Sequence, residues 1–140
     1  MARPPRFKLA DTAQQVVGGF LLAGPFVVTE EVWTLAANMT WYHVGVTVAV
    51  VFAIGYGALY EADDDRDPDR EAEVVGVPLR FISLMLVAYG SVAVLALTLT
   101  APTTFVENVD MAERARVTTR AVSVGAIFSV VGAATADSVF

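Results

Sequence analysis

The stretch LRFISLMLVAYGSVAVLALTLT at residues 79–100 decides the fold class. Its single charged residue is Arg80, at the second position, and almost all the others are apolar or small. A helix crosses the hydrocarbon core of a bilayer with about 20 predominantly apolar residues. Pro78 precedes the stretch and Pro102 is expected to stop it, because proline cannot continue a helix. The stretch therefore predicts a transmembrane helix.

Three further apolar stretches of comparable length lie at residues 13–37, 41–60 and 117–137. Aromatic residues at both ends of the 41–60 stretch fit the belts that form at membrane interfaces; these are Trp41, Tyr42, Tyr56 and Tyr60. Of the 140 residues, 56% are hydrophobic, against about 45–50% in soluble domains. The sequence therefore predicts a single all-α domain, a four-helix transmembrane bundle, in a multi-pass protein of the cell membrane.

The first and fourth helices are expected to be irregular. Pro25 lies inside the first stretch and removes a backbone hydrogen bond, which predicts a kinked first helix. Residues 103–116 have the charge pattern of an amphipathic helix and contain no glycine or proline. We therefore expect an extended fourth helix, or two nearly collinear helices, from about Thr104 to Asp137. Two capping boxes are expected, Thr12 with Gln15 and Thr104 with Glu107.

Acidic residues are concentrated in one loop. The net charge is −6, and more than half of the carboxylates lie in the loop at residues 61–73. Lysine occurs once and arginine eight times. This composition indicates a halophile, because high salt screens the self-repulsion of an acidic run; the alternative is a solvated linker in any organism. Nucleic-acid binding is not expected, because it depends on basic residues that neutralise phosphates.

Catalytic, metal and cofactor sites are not expected. The chain has no cysteine and a single histidine, which argues against a transition-metal site. The sequence contains no phosphate-binding loop and no set of nucleophile, base and orienting residue. We therefore expect a protein that is not an enzyme and that has no cofactor.

Basic residues set the expected orientation, because cytoplasmic loops carry the excess of lysine and arginine. The N-terminal segment and the second loop with its edge hold six of them, and the third loop with the start of the fourth helix holds three. Both termini are therefore predicted to be cytoplasmic. The small bias leaves open a dual topology with antiparallel protomers. The three outer arginines need an explanation; they are Arg114, Arg116 and Arg120.

Adjacent carboxylates at Glu30 and Glu31 interrupt the apolar first helix. Carboxylates inside spans are costly and usually face protein or water with a partner. Arg120 and His43 are expected at the same depth, each near one end of its helix. We expect Glu30 to face inward within pairing distance of Arg120, and Glu31 to be more exposed; the alternative is that both glutamates reach the headgroups. His43 is either, as we favour, an interfacial residue beside the aromatic belt or a titratable member of a gate or proton relay.

Asp137 is the other acid within a span, at the opposite end of the fourth helix. It belongs either to an ion pathway or, as we favour, to a helix end at the cytoplasmic interface. In the second case its neighbours are expected to be Arg80 or the N-terminal basic residues.

Small residues recur at every fourth position in two helices, which allows close approach of helix backbones. The second helix carries Gly45, Ala49, Ala53 and Gly57. The fourth carries Ala121, Gly125, Ser129 and Ala133. These stripes are expected to pack on each other or against a symmetry mate, and they predict a homo-oligomer.

The segment ADTAQQVVGGF at residues 10–20, followed by GPF at 24–26 and TEEVW at 29–33, resembles a haloarchaeal and bacterial family of integral membrane proteins of unknown function. The resemblance covers essentially the whole chain but is specific only in the first helix. It implies a multi-spanning membrane protein, supports the halophile interpretation, and carries no activity or assigned residue.

Two functions fit these features. An oligomeric channel or small transporter for ions or protons would use the intramembrane carboxylates, with its path between protomers because four helices enclose little space. The alternative is a structural or accessory membrane subunit whose buried charges only lock helices together. A wet cavity at Glu30 would favour transport, and neutralisation of Glu30 by Arg120 would favour the structural role.

Overall fold

A computed structural model describes residues 9–61, 73–74 and 76–139, so most of the predicted acidic loop falls outside the described residues. The elements are α1 (Leu9–Val27), α2 (Glu30–Asn38), α3 (Trp41–Tyr56) with a π-helical extension (Gly57–Glu61), β1 (Glu73–Val74), β2 (Val77–Pro78), α4 (Leu79–Thr98), α5 (Ala101–Phe105) and α6 (Met111–Val139). The two short strands pair antiparallel across a turn at Gly76, whose φ of 78° suits glycine.

Helices α1, α3, α4 and α6 form a transmembrane bundle, which confirms the predicted all-α membrane fold. Helix α3 with its extension, α4 and α6 are each long and apolar enough to cross a membrane, and the bent pair of α1 and α2 makes a fourth span if it is counted as one. Helix α6 has 29 residues, or about 43 Å at about 1.5 Å per residue, which exceeds a hydrocarbon core of about 30 Å. The fourth helix is therefore extended, as expected.

The kink predicted at Pro25 is a complete break of the helix shortly after it. Helix α1 continues through Pro25 for two residues, and α2 then follows at an angle of 81°. Thr29 donates its hydroxyl to the carbonyl of Phe26 at 3.1 Å, and the Trp33 indole N–H donates to the carbonyl of Val27 at 2.9 Å. These bonds satisfy carbonyl groups that the break leaves without helical donors, as a membrane interior requires.

The extended fourth helix starts later than the sequence predicts. The short helix α5 comes first, and Pro102 lies in its first turn, where a missing N–H costs little. Asn108 then has a left-handed φ of 60°, which interrupts the helical path. Asp110 caps α6, because its carboxylate accepts a 2.8 Å hydrogen bond from the N–H of Glu113. The capping box predicted at Thr104 is therefore wrong.

Glycines bring α1 and α6 into direct backbone contact. Gly18 and Gly132 lie so close that a methyl group on either would overlap the backbone of the other. Next to this crossing, a methyl group on Gly19 would lie 3.0 Å from the Ser91 hydroxyl of α4. The three helices α1, α4 and α6 therefore form a tightly packed unit.

The two small-residue stripes do not pack on each other. The α6 stripe is buried inside the bundle, and a methyl group on Gly125 would lie 2.8 Å from a methyl of Val92 on α4. The first three residues of the α3 stripe are exposed instead, from Gly45 through Ala49 to Ala53. The reason is geometric, because α3 lies at the edge of the bundle and turns a different face toward α6, where Thr47 bonds Ser123 at 2.8 Å.

Candidate functional site

A buried polar cluster joins α1, α4 and α6 at the end of the bundle where α4 starts. Arg80 is 1% exposed; its Nη1 donates to Oδ1 of Asp137 at 2.7 Å and its Nη2 to Oδ2 of Asp11 at 3.1 Å. Gln15 donates from Nε2 to the other oxygen of Asp137 at 3.0 Å. Ser83 donates to Oε1 of Gln15 at 2.7 Å. We call these five residues the Arg80 cluster, and its charge-assisted bonds tie three helices together.

Helical spacing places these side chains on facing surfaces. Asp11 and Gln15 are four residues apart in α1, and Arg80 and Ser83 are three apart in α4, so each pair shares a helix face. Helix α1 starts at residue 9, ahead of the expected cap, and the Thr12 hydroxyl lies 3.0 Å from that of Ser83. The predicted capping box of Thr12 with Gln15 is therefore wrong, because both side chains face α4.

Asp137 lies inside the Arg80 cluster rather than at a hydrated helix end. The favoured alternative from the sequence placed Asp137 near Arg80, and the structure brings the two into contact. Asp11 and Ser83 were not singled out from the sequence, and Gln15 was assigned only to a capping box. The polar pair Asp11 and Gln15, on one face of an otherwise apolar helix, is the pattern that would have indicated them.

Glu30 and Glu31 form the first turn of α2, and both are exposed. Negative charge is favourable there, because the helix N-terminus carries a partial positive charge. Glu30 lies on a groove of about 280 Å³ between α2, α5 and α6, and the other carboxylates on this groove are those of Glu107 and Glu113. We call this the acidic groove. Glu31 does not line it.

Arg120 does not pair with Glu30, which corrects the predicted ion pair. Its side chain is 6% exposed, and its guanidinium carbon lies 5.3 Å from the ring centre of Trp41. Among the residues that the structure describes, no carboxylate forms an ion pair with Arg120, and its buried Nε has no hydrogen-bond partner. The physical reason is the break before α2, which turns the Glu30 backbone away from the axis of α1.

The two arginines that precede Arg120 have protein partners. Arg116 forms an ion pair with Glu113, one turn earlier in α6. The Nε of Arg114 donates to the carbonyl of Val106 at 3.2 Å. These contacts account for two of the three arginines that oppose the expected charge bias.

His43 is exposed and caps α3. Its Nδ1 accepts a 3.0 Å hydrogen bond from the backbone N–H of Thr40, and its ring lies edge-on to that of Tyr42. These contacts are those of a residue in the third position of a capped helix. They fit the interfacial position that the sequence favours better than a gate or proton relay.

The chain matches, over residues 5–139, the family described as "Putative integral membrane protein (DUF2391)". The chain belongs to this family. The match confirms the resemblance to a membrane protein family of unknown function. No curated protein and no solved structure matches the chain.

This DUF2391 protein thus has two contrasting polar regions at opposite ends of its bundle. The Arg80 cluster is closed and internally hydrogen-bonded, so it can hold helices in register. The acidic groove is open and lined by several carboxylates, so it can bind a hydrated cation or exchange protons with water.

Proposed function

We propose that the protein is an oligomeric ion transport protein of the cell membrane that takes up cations or protons through the acidic groove. The observation that carries this proposal is the environment of Glu30, which is exposed on the groove. No basic side chain of the described residues pairs with it. A carboxylate that only locked helices together would instead be buried against a cation.

The groove has the size and charge that cation uptake needs. Its volume of about 280 Å³ is room for several water molecules. Glu113 is partly neutralised by Arg116, whereas Glu30 and Glu107 are both exposed. Carboxylates around a hydrated cleft raise the local concentration of cations. The groove therefore serves as an entrance in this proposal.

The route across the membrane runs between protomers in this proposal. The contact of Gly18 with Gly132 leaves no space between α1 and α6 at their crossing. Helix α3 instead presents an exposed face with small residues, including Ala49 and Ala53. Small residues favour close association of helices within membranes. We therefore assign the contact between protomers to α3.

Ion flux into liposomes tests the proposal, with Glu30→Gln as the variant and Glu31→Gln as its matched control. The two glutamates share the same helical turn, but only Glu30 lines the groove. Purified protein would be reconstituted, and flux of protons, Na⁺ and K⁺ measured under an imposed gradient. We expect wild type and Glu31→Gln to conduct one of these ions, and Glu30→Gln to lose most of the flux.

Two results would contradict the proposal. One is wild-type flux no greater than that of empty liposomes for every ion tested. The other is equal flux through Glu30→Gln and wild type, which would remove the acidic groove from the path.

A second candidate function, a structural or accessory membrane subunit, is favoured by the Arg80 cluster. Arg80 and Asp137 are both buried and bond each other, which is the arrangement expected of a helix lock. Absent flux, combined with loss of assembly in Arg80→Gln, would favour this candidate. Preserved assembly with loss of flux in Glu30→Gln would favour transport.

A further inference from the structure

Arg120 is a buried cation that has no anionic partner among the described residues. The residue is 6% exposed, and its Nε is buried without a hydrogen-bond partner. In the part of the chain that the structure describes, no carboxylate pairs with it. An unpaired charge is among the most expensive groups to bury in a protein or a membrane. The described residues therefore supply no anion that offsets this cost.

Other charged groups near Arg120 in sequence are already engaged. Glu113 lies two turns earlier on the same face of α6, but it pairs with Arg116. Arg114 uses a backbone carbonyl. His43, two residues after Trp41, accepts the N–H of Thr40. None of these groups supplies negative charge to Arg120.

The position of Arg120 corresponds to the depth of lipid headgroups. Arg120 lies three residues after Val117, where the apolar part of α6 starts. It contacts Trp41, the first residue of α3, which is 60% exposed, and Tyr42 beside it is 78% exposed. Tryptophan and tyrosine gather at the membrane interface, where their rings sit at headgroup level. The abundant anion at that depth is the phosphate diester of a phospholipid.

The contact with Trp41 prepares the guanidinium for such a ligand. A ring within about 6 Å of a guanidinium attracts the cation and restrains its plane. Arginine binds phosphate through two parallel N–H donors, and this fixed geometry lowers the cost of ordering it. Trp41 therefore orients the guanidinium of Arg120 but does not neutralise its charge.

We propose that Arg120, supported by Trp41, binds the phosphate of a membrane phospholipid at the end of the bundle where α3 starts. The bound phosphate supplies negative charge to Arg120, an arginine that the expected charge bias disfavours at this end of α6. The chemistry of a phosphate oxyanion is shared with free phosphate, and the lipid is the source that the membrane depth of Arg120 favours.

Thermal unfolding of delipidated protein in a non-ionic detergent tests the proposal. The probes are phosphatidylglycerol, a galactosyl diacylglycerol that lacks phosphate, and inorganic phosphate at the same phosphate concentration. We expect phosphatidylglycerol to raise the Tm of wild type by several degrees, because a ligand of the folded state stabilises it. The galactolipid and inorganic phosphate should shift it far less. Arg116→Gln should respond as wild type does, and Arg120→Gln should lose the response.

Equal stabilisation of Arg120→Gln and wild type by phosphatidylglycerol would overturn the proposal. If inorganic phosphate stabilised wild type as much as phosphatidylglycerol does, the ligand would be a free anion and the lipid proposal would be overturned. If Arg120→Gln does not fold, wild type would be photo-crosslinked with phosphatidylglycerol that carries a photoreactive headgroup. Adducts on residues 41–44 or 117–124 are expected, and adducts confined to other segments would overturn the proposal.

Discussion

Arg80 and Asp137 are 57 residues apart in the chain, yet Nη1 of the arginine lies 2.7 Å from Oδ1 of the aspartate inside the bundle. The second oxygen of Asp137 accepts a hydrogen bond from Gln15. A buried ion pair is worth keeping only when geometry and further hydrogen bonds offset its desolvation. Here those conditions are met, and the contact fixes the register of α6 against both α1 and α4.

The pair of Arg80 and Asp137 should show strong coupling in a double-mutant cycle. We expect Arg80→Gln to cost about 3–5 kcal/mol, because it removes the guanidinium that two carboxylates bond, and Asp137→Asn to cost less, because Asp11 still bonds Arg80. The double variant should cost clearly less than the sum. Unfolding in mixed detergent micelles measures all four forms. Arg116→Gln, which breaks a half-exposed pair with Glu113, is the control and should cost about 0–1 kcal/mol.

The crossing of α1 and α6 should tolerate no added side chain at Gly18. A methyl group there would overlap the Gly132 backbone, so Gly18→Ala must push the helices apart. Gly90→Ala in α4 is the control, because its methyl group would meet nothing within 4 Å. We expect a large fall in Tm for Gly18→Ala and no fall for Gly90→Ala, since alanine favours the helix by about 1 kcal/mol over glycine. Equal Tm values would mean that the close crossing does not exist in the membrane.

The two small-residue stripes should give different results when one residue of each is enlarged. Gly125 packs on Val92 inside the bundle, so Gly125→Ile should lower the unfolding temperature of the protomer. Ala49 is exposed, so Ala49→Ile should leave protomer stability unchanged and reduce the size of the assembly. Size-exclusion chromatography with light scattering, together with thermal unfolding, separates the two effects. An unchanged assembly size in Ala49→Ile would exclude α3 as the contact between protomers.

Apolar length and charge distribution were sufficient to predict the membrane bundle. Residues 79–100 predicted α4, which the structure places at Leu79–Thr98, and residues 41–60 predicted α3 with its π-helical extension. These predictions succeed because each helix must by itself be apolar and long enough to cross the hydrocarbon core. The halophile interpretation depends chiefly on the acidic loop and stays a prediction.

Apart from the expected proximity of Asp137 to Arg80, the sequence did not predict which polar side chains meet. Thr12 and Gln15 were interpreted as a local cap, and their real partners lie in α4 and α6. The break after α1 depends on Thr29 and Trp33, whose side chains donate hydrogen bonds to carbonyls freed by the bend. The periodicity of apolar residues carries no information about such bonds. Once α2 turns by 81°, a depth estimate along one straight helix fails, and so does the pairing of Glu30 with Arg120.

The orientation of the bundle is a further prediction that the structure leaves to experiment. The basic residues favour cytoplasmic termini, with the α2–α3 connection outside and the acidic loop inside. The chain has no cysteine, so Met39→Cys and Asp65→Cys each give a single thiol without background. An impermeant thiol reagent added to intact cells should label Met39→Cys only. Labelling of Asp65→Cys alone would indicate the opposite orientation, and labelling of both variants would indicate a dual topology.

Glu30 and Arg120 should behave as independent residues in a double-mutant cycle. Glu30 is exposed at the start of α2, so Glu30→Gln should cost at most the loss of a helix-terminus interaction, about 0.3–1 kcal/mol. Arg120 lies over Trp41, so Arg120→Gln loses a cation–π contact of about 0.5–2 kcal/mol. The same substitution removes the desolvation cost of a buried charge, which offsets part of that loss. Residues without shared contacts are additive to within about 0.5 kcal/mol, which is the coupling we expect in detergent unfolding. A coupling well above that value would mean that the two side chains pair in the membrane. Glu30 would then stabilise helix packing, as the structural candidate requires, and would not form the entrance of an ion path.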